Sequence, residues 1–242
     1  PPFPAQKGYM DQPTAVNNVE TFSAAVRIID KGPEWFKGLG TEQSAGTKLL
    51  SVSGDCEKPG VYEVEFGITV EEMLKMVGAG DTRAVQIGGP SGVCVPPREF
   101  EKVIGFEGFA TGGSVIVIGK DRNLLEIVHN FEEFFTDESC GSCVPCRAGT
   151  WIMSNKMKRI LEGHGTKADL DMLLELGEVM KTTNKCGLGQ TAGNPVVSTI
   201  NNFRNLYEAT MTGDDMFDPG FDLASAVEES CAYVGRKPQA AE

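Results

Sequence analysis

Cys140-Gly-Ser-Cys143-Val-Pro-Cys146 sets three thiols within seven residues, in the pattern C-x-x-C-x-x-C. Thiolate is the usual donor to the irons of an iron–sulfur cluster, and three donors this close can wrap one inorganic centre from one side. A cubane of four irons and four sulfides needs a ligand at each iron corner, so a single-cluster chain must fetch a fourth thiolate from elsewhere. Cys186 is the candidate, because it lies in Lys185-Cys-Gly-Leu-Gly189, a glycine-rich loop between two segments of helical pattern. Gly141 lets the backbone approach the sulfides and take positive φ. Pro145 stiffens the loop without adding an N–H to be satisfied. Arg147 and the N–H groups after Cys146 would aim a cation and a helix start at the centre, which favours its reduced form. An Arg solvated in the first turn is the plainer reading of the same residue. Zinc is the competing occupant, although structural zinc sites usually show separated thiol pairs or a pair with histidines.

The other reactive residues read more plainly. Cys56, Cys94 and Cys231 are isolated and fit small, partly buried positions. His129 falls on a helical apolar pattern and His164 in Gly-His-Gly, so packing and an exposed loop are their expected roles. Gly88-Gly-Pro-Ser-Gly92 follows an apparent strand but lacks the G-x-G-x-x-G spacing, so it reads as a turn and not as a phosphate cradle. With 34 acidic against 22 basic residues the net charge is −12, which repels polyphosphates and argues against nucleic acid. The longest apolar run, Val115 to Ile118, is far too short to span a bilayer, and no secretory apolar segment opens the chain. We therefore expect a cytoplasmic protein without direct membrane insertion. Seven cysteines in 242 residues, four of them in one constellation, fit reduced thiols doing metal chemistry better than a disulfide scaffold. The start Pro1-Pro-Phe-Pro4, without Met, is that expected of a fragment or a processed chain.

Periodicity supplies the elements that must hold these thiols. Thr14 to Ile29 places Val16, Val19, Phe22, Ala25, Val26 and Ile29 at helical spacing, closed by Lys31-Gly-Pro33. Leu49 to Ser53 and Val61 to Val64 flank the turn Asp55-Cys-Glu-Lys-Pro-Gly60 and read as a hairpin. Thr69-Val-Glu-Glu72 has capping-box spacing before the stripe Val70, Met73, Leu74, Val77. Ala84 to Ile87 and Ser114 to Ile118 complete a strand, strand, helix, strand, strand order, a small β-grasp domain over residues 47–120. Beyond Asp121, helical stripes cover Leu124 to Phe135, Trp151 to Leu161, Leu170 to Met180 and Val196 to Tyr207, joined by short Gly-bearing loops. The expected class is α+β, with a four-helix bundle over 121–210 and a surface extension over 211–242 that ends in a short helix.

Three motifs together, Glu138-Ser-Cys-Gly-Ser-Cys-Val-Pro-Cys-Arg147, Cys186-Gly-Leu-Gly189 and Pro13-Thr-Ala-Val-Asn-Asn-Val-Glu-Thr21, resemble the NADH-oxidising flavoprotein subunits of respiratory complex I and their relatives. The stretch Ala45 to Gly60 is most similar to the diaphorase subunits of soluble NAD-reducing hydrogenases. The resemblance implies an FMN and NADH domain whose C-terminal end is residues 1–46, then the β-grasp domain and a helical domain with one 4Fe–4S cluster. It implies that Val16, Asn17, Asn18 and Thr21 touch FMN, where amide and hydroxyl donors suit flavin oxygens; helix capping is the plainer role for the two Asn. It implies electron relay between FMN, reduced by NAD(H), and further clusters, with a 2Fe–2S thioredoxin-like partner or domain and a ferredoxin-like or hydrogenase module. The family's glycine-rich FMN loop has no counterpart in this chain, and the flavin pocket is expected to lie mostly outside it.

Overall fold

The computed structural model describes residues 2–211, 231–233 and 235. Its first two α-helices are α1 (Val19–Lys31) and α2 (Pro33–Lys37). Helical spacing put the start of α1 at Thr14; the structure starts it at Val19, because the Asn18 side chain accepts the Glu20 N–H at 2.8 Å and fixes the first turn there. Val16 lies before it, outside any helix or strand. Val19, Phe22, Val26 and Ile29 on α1 are all exposed.

Apolar and polar residues alternate from Thr47 and give an antiparallel pair, β1 (Thr47–Gly54) and β2 (Gly60–Glu65), with Thr47 opposite Glu65 and Val52 opposite Gly60. The capping box then starts α3 (Val70–Val77). Glu72 N–H donates to Thr69 Oγ1 at 3.1 Å, and Thr69 N–H donates back to the Glu72 carboxylate at 2.9 Å. Gly78 ends this helix in the left-handed conformation, φ 70°. Three more strands follow, β3 (Thr82–Ile87), β4 (Val93–Val95) and β5 (Ser114–Gly119), and the sheet order is β2-β1-β5-β3-β4. Within this sheet only β1 and β5 run parallel.

Strand β4 was not visible in the sequence pattern, being three residues embedded in a stretch of Gly and Pro. The Gly88 to Gly92 segment is the turn that joins it to β3, with Gly92 N–H donating to Gly89 O at 3.0 Å. Side-chain alternation divides the buried residues between two cores. Val85, Ile87, Val95, Val115 and Val117 pack with α3, while Ala84, Cys94 and Ile118 face the helices that follow. Both faces of β3 and β5 are thus covered, which is why β5 reads as an unbroken apolar run from Val115 to Ile118 and β3 as a mostly apolar one broken by the buried Gln86.

Those helices are α4 (Leu124–Glu138), α5 (Val144–Leu161), α6 (Lys167–Thr183), the short α7 (Gly187–Thr191) and α8 (Asn194–Glu208). α4 packs on α5, α5 on α6, α6 on α8 and α8 on α4, and α8 also lies against β4. Two glycines permit the close approaches. A Cβ on Gly177 of α6 would meet Val197 Cγ2 of α8 at 2.4 Å, and one on Gly149 of α5 would meet Met180 Sδ of α6 at 2.5 Å. Among the described residues, eight α-helices and one open five-stranded sheet make a mixed α/β fold, and no helix is long and apolar enough to cross a membrane. Most of the expected C-terminal extension lies outside the described residues.

Candidate iron–sulfur site

The cysteine triplet is not wholly a loop. Helix α5 was expected from Trp151 but begins at Val144, since Pro145 in its first turn gives up no needed N–H and its fixed φ suits a helix start. Cys143 is therefore the N-cap, Cys146 sits in the first turn, and only Cys140 precedes the helix. Cys186 stands in the equivalent place on the other side, as N-cap of α7. Side-chain oxygens cap α1, α3, α4 and α6, whereas the two helices that start at a cysteine have no side-chain cap. The first-turn N–H groups of α5 thus remain available to a sulfur-rich, electron-rich neighbour.

All four cysteines line one cavity of about 80 Å³, together with Glu138, Ser139, Ser142, Asn184, Leu188 and Gly189. A single water needs roughly 10–15 Å³ on this measure, so the space suits a group of several heavy atoms. Among the described residues, no three His, Cys, Asp or Glu side chains stand close enough to grip one ion. Four thiols spread around a cavity are what a cluster with one thiolate per iron requires. The donor set and the space fit a four-iron cluster, and Cys140, Cys143, Cys146 and Cys186 are the residues that would hold it.

Several neighbours shape this cavity. Gly141 has φ 76°, the left-handed conformation its position allowed for. Arg147 folds back so that Nη1 donates to Gly141 O at 2.7 Å, which braces the chain between Cys140 and Cys143. Asn184 is buried and donates from Nδ2 to Met180 O at 2.8 Å and to Gly189 O at 2.9 Å, tying the end of α6 to α7. Ser139, the residue that ends α4, has its Oγ 3.3 Å from Cys146 Sγ. Sequence reasoning singled out neither Ser139 nor Asn184. Ser139 stands in the motif that carried the family resemblance, but nothing in spacing says which neighbour of a cysteine turns back onto a sulfur.

The residues expected to touch FMN lie elsewhere. Val16, Asn17, Asn18 and Thr21 are exposed and none of them lines the cysteine cavity. Asn18 performs the capping role through Oδ1, and the first turn it fixes is tied to the sheet by Glu20, whose carboxylate accepts from Leu49 N–H at 2.8 Å and pairs with Lys48. His129 lies half-buried, 3.8 Å from Glu133 and 3.5 Å from Ser154 Oγ, and His164 is exposed, so both take the plain roles expected of them.

Residues 126–210, which hold all four cavity cysteines, match the NADH-ubiquinone oxidoreductase-F iron-sulfur binding region. Curated proteins similar to most of the chain include subunits of hydrogenases and of NADH-quinone oxidoreductases. The NAD-reducing hydrogenase HoxS subunit alpha of Cupriavidus necator is 46% identical over 229 residues, which make up 94% of this chain and 38% of the relative. The NADP-reducing hydrogenase subunit HndC of Solidesulfovibrio fructosivorans is 42% identical, over 86% of this chain and 45% of its own. The F component of the NADH-quinone oxidoreductase of Mycobacterium tuberculosis is 35% identical, over 90% and 52%. Among solved structures, an NAD⁺-reducing [NiFe]-hydrogenase in the H₂-reduced state superposes with a TM-score of 0.85 at 38% identity, covering 98% of this chain and 42% of that one. The chain thus spans about half, or less, of the length of the relatives it matches.

Proposed function

We propose that this chain is the electron-relay portion of an NAD(H)-linked flavin and iron–sulfur oxidoreductase, holding one 4Fe–4S cluster on Cys140, Cys143, Cys146 and Cys186. The observation that carries the reading is the gathering of these four thiols, from two separate helix starts, around one cavity. When bound, the cluster supplies one-electron transfer, and the FMN of the complete subunit exchanges electron pairs with NAD(H). The protein's own part is to position the sulfurs, exclude water from Cys146, which is 6% exposed, and brace the cysteine segment through Arg147. Cys140 and Cys186 are exposed and form the rim at which a redox partner would approach.

Higher identity to hydrogenase subunits than to the quinone-linked relative, 46% and 42% against 35%, favours a diaphorase of an NAD-reducing hydrogenase over a complex I subunit. On this reading residues 1–46 close an FMN-binding domain, with Val16, Asn17, Asn18 and Thr21 facing the flavin. Residues 47–120 form a β-grasp domain, 121–210 a four-helix bundle around the cluster, and 211–242 an extension. The partners are a 2Fe–2S thioredoxin-like protein or domain and a ferredoxin-like or hydrogenase module. The exposed apolar residues of α1 suit a chain continuing into further packed structure.

The test is ligand deletion. Cys186→Ser should destroy or convert the cluster, because hydroxyl is a far poorer iron ligand than thiolate. Cys56→Ser, Cys94→Ser and Cys231→Ser should keep full iron and sulfide. Iron and sulfide per chain and the EPR spectrum after dithionite reduction measure both. A full cluster in Cys186→Ser, with loss in one of the other three, would sink this ligand set.

A further inference from the structure

The four cavity cysteines differ in burial: Cys140 and Cys186 are exposed, Cys143 is partly buried, and Cys146 is 6% exposed. The least exposed of the four cysteines is the one Ser139 contacts. Its hydroxyl lies 3.3 Å from Cys146 Sγ and also accepts the Gly141 N–H at 3.4 Å. As an iron ligand Cys146 is a thiolate without a proton of its own, so the hydroxyl hydrogen must be the one shared. Ser139 has a single hydrogen to give, and the Gly141 N–H occupies a lone pair of Oγ instead of competing for that hydrogen. The chain Gly141 N–H to Ser139 Oγ–H to Cys146 Sγ polarises in one direction, which strengthens the last bond.

We infer that Ser139 is a positioning residue that sets the reduction potential of the cluster through its hydrogen bond to Cys146 Sγ. This rests on the cysteine ligand set proposed above. Adding an electron raises negative charge on the ligand sulfurs, and a donor to a sulfur shielded from water stabilises that reduced state more than the oxidised one. Ser139 therefore raises the potential. It sits at the end of α4, held by a helix packed on both α5 and α8, so the donor is fixed before any electron arrives.

The experiment is an anaerobic redox titration of the full 242-residue chain, followed by the EPR signal of the reduced cluster, for the wild type, Ser139→Ala and Ser139→Thr. Ser139→Ala should keep its iron and sulfide but need a more negative potential. A roughly tenfold fall in the reduced-to-oxidised ratio at fixed poise corresponds to about 59 mV for one electron. Ser139→Thr, which keeps the hydroxyl, should titrate with the wild type. An unchanged midpoint in fully loaded Ser139→Ala would overturn the inference. So would loss of the cluster in Ser139→Ala, which would make the serine a structural support, or a Ser139→Thr shift equal to that of Ala. Absence of a cluster from the wild-type chain would instead overturn the ligand set itself.

Discussion

Glycines beside Cys186 look alike in the sequence, yet they face different surroundings. A Cβ on Gly187 would meet nothing within 4 Å, while one on Gly189 would stand 2.8 Å from Cγ and 3.0 Å from Nδ2 of Asn184. That amide cannot move aside freely, because Nδ2 is committed to two carbonyls and the side chain is buried. An added methyl must break those bonds or push α7 away, and Cys186 moves with α7. Losing both bonds from a buried amide costs about 1–3 kcal/mol per unsatisfied group. Gly189→Ala should therefore lose most of its iron and sulfide under conditions where Gly187→Ala retains them. Equal cluster content in the two variants would show that Asn184 does not hold the Cys186 loop in place.

Helix contacts decide whether the two cysteine-bearing segments meet at all. Gly177 and Gly149 lie where α6 touches α8 and α5, and the neighbours differ in stiffness. Val197 is β-branched, with few rotamers to retreat into, whereas the Met180 thioether is unbranched and adaptable. Gly177→Ala should cost about 1–3 kcal/mol, the usual range for overpacking, and Gly149→Ala distinctly less. Urea unfolding at constant m-value measures both, and a neutral Gly177→Ala would refute the close-packing argument. The same helices show what was readable beforehand. Periodic patterns located β1, β2, α3, α4, α6 and α8, and short apolar segments located β3 and β5, since burial on one or two faces leaves its mark on residue type. The starts of α1 and α5 were misjudged. Val16 falls at helical spacing by coincidence while Asn18 fixes the start, and a cysteine at the N-cap of α5 carries no capping signal in the sequence. Strand β4 is too short for any period to show. The clustering of the four cysteines was legible from ligand count and flanking glycines, but Ser139 and Asn184 depend on how α4 and α6 end, which spacing does not encode.

Global stability should carry an unusual pH dependence, because one carboxylic acid is buried without a partner among the described residues. Glu132 of α4 has no exposed surface, and neither of its oxygens has a hydrogen-bond partner. Burial pushes its pKa well above the ordinary 4.5. Other carboxyls go the opposite way: hydrogen bonds from Arg122 hold Asp55 low, the Thr69 N–H does so for Glu72, and the Ser44 hydroxyl for Glu107. Their stabilising contributions are present above the ordinary carboxyl range and are lost on acidification. For Glu132 the sign reverses. Between its unfolded and folded pKa values the native state binds more protons than the unfolded one, so stability falls as pH rises. That loss begins near pH 4.5 and reaches at most about 1.4 kcal/mol per pH unit for one group. Tyr207, which interacts with Glu132 in the core, and Cys94, which interacts with Tyr207, are themselves raised by burial, Cys94 to about 12, so neither titrates in the window. Glu132→Gln removes the titration at nearly constant volume. Its unfolding free energy, minus that of the wild type, should be larger at pH 8 than at pH 5 in urea titrations on an otherwise identical background. A difference that stays flat over that range would mean that water or a partner reaches the carboxylate, and that Glu132 is ionised in the folded protein.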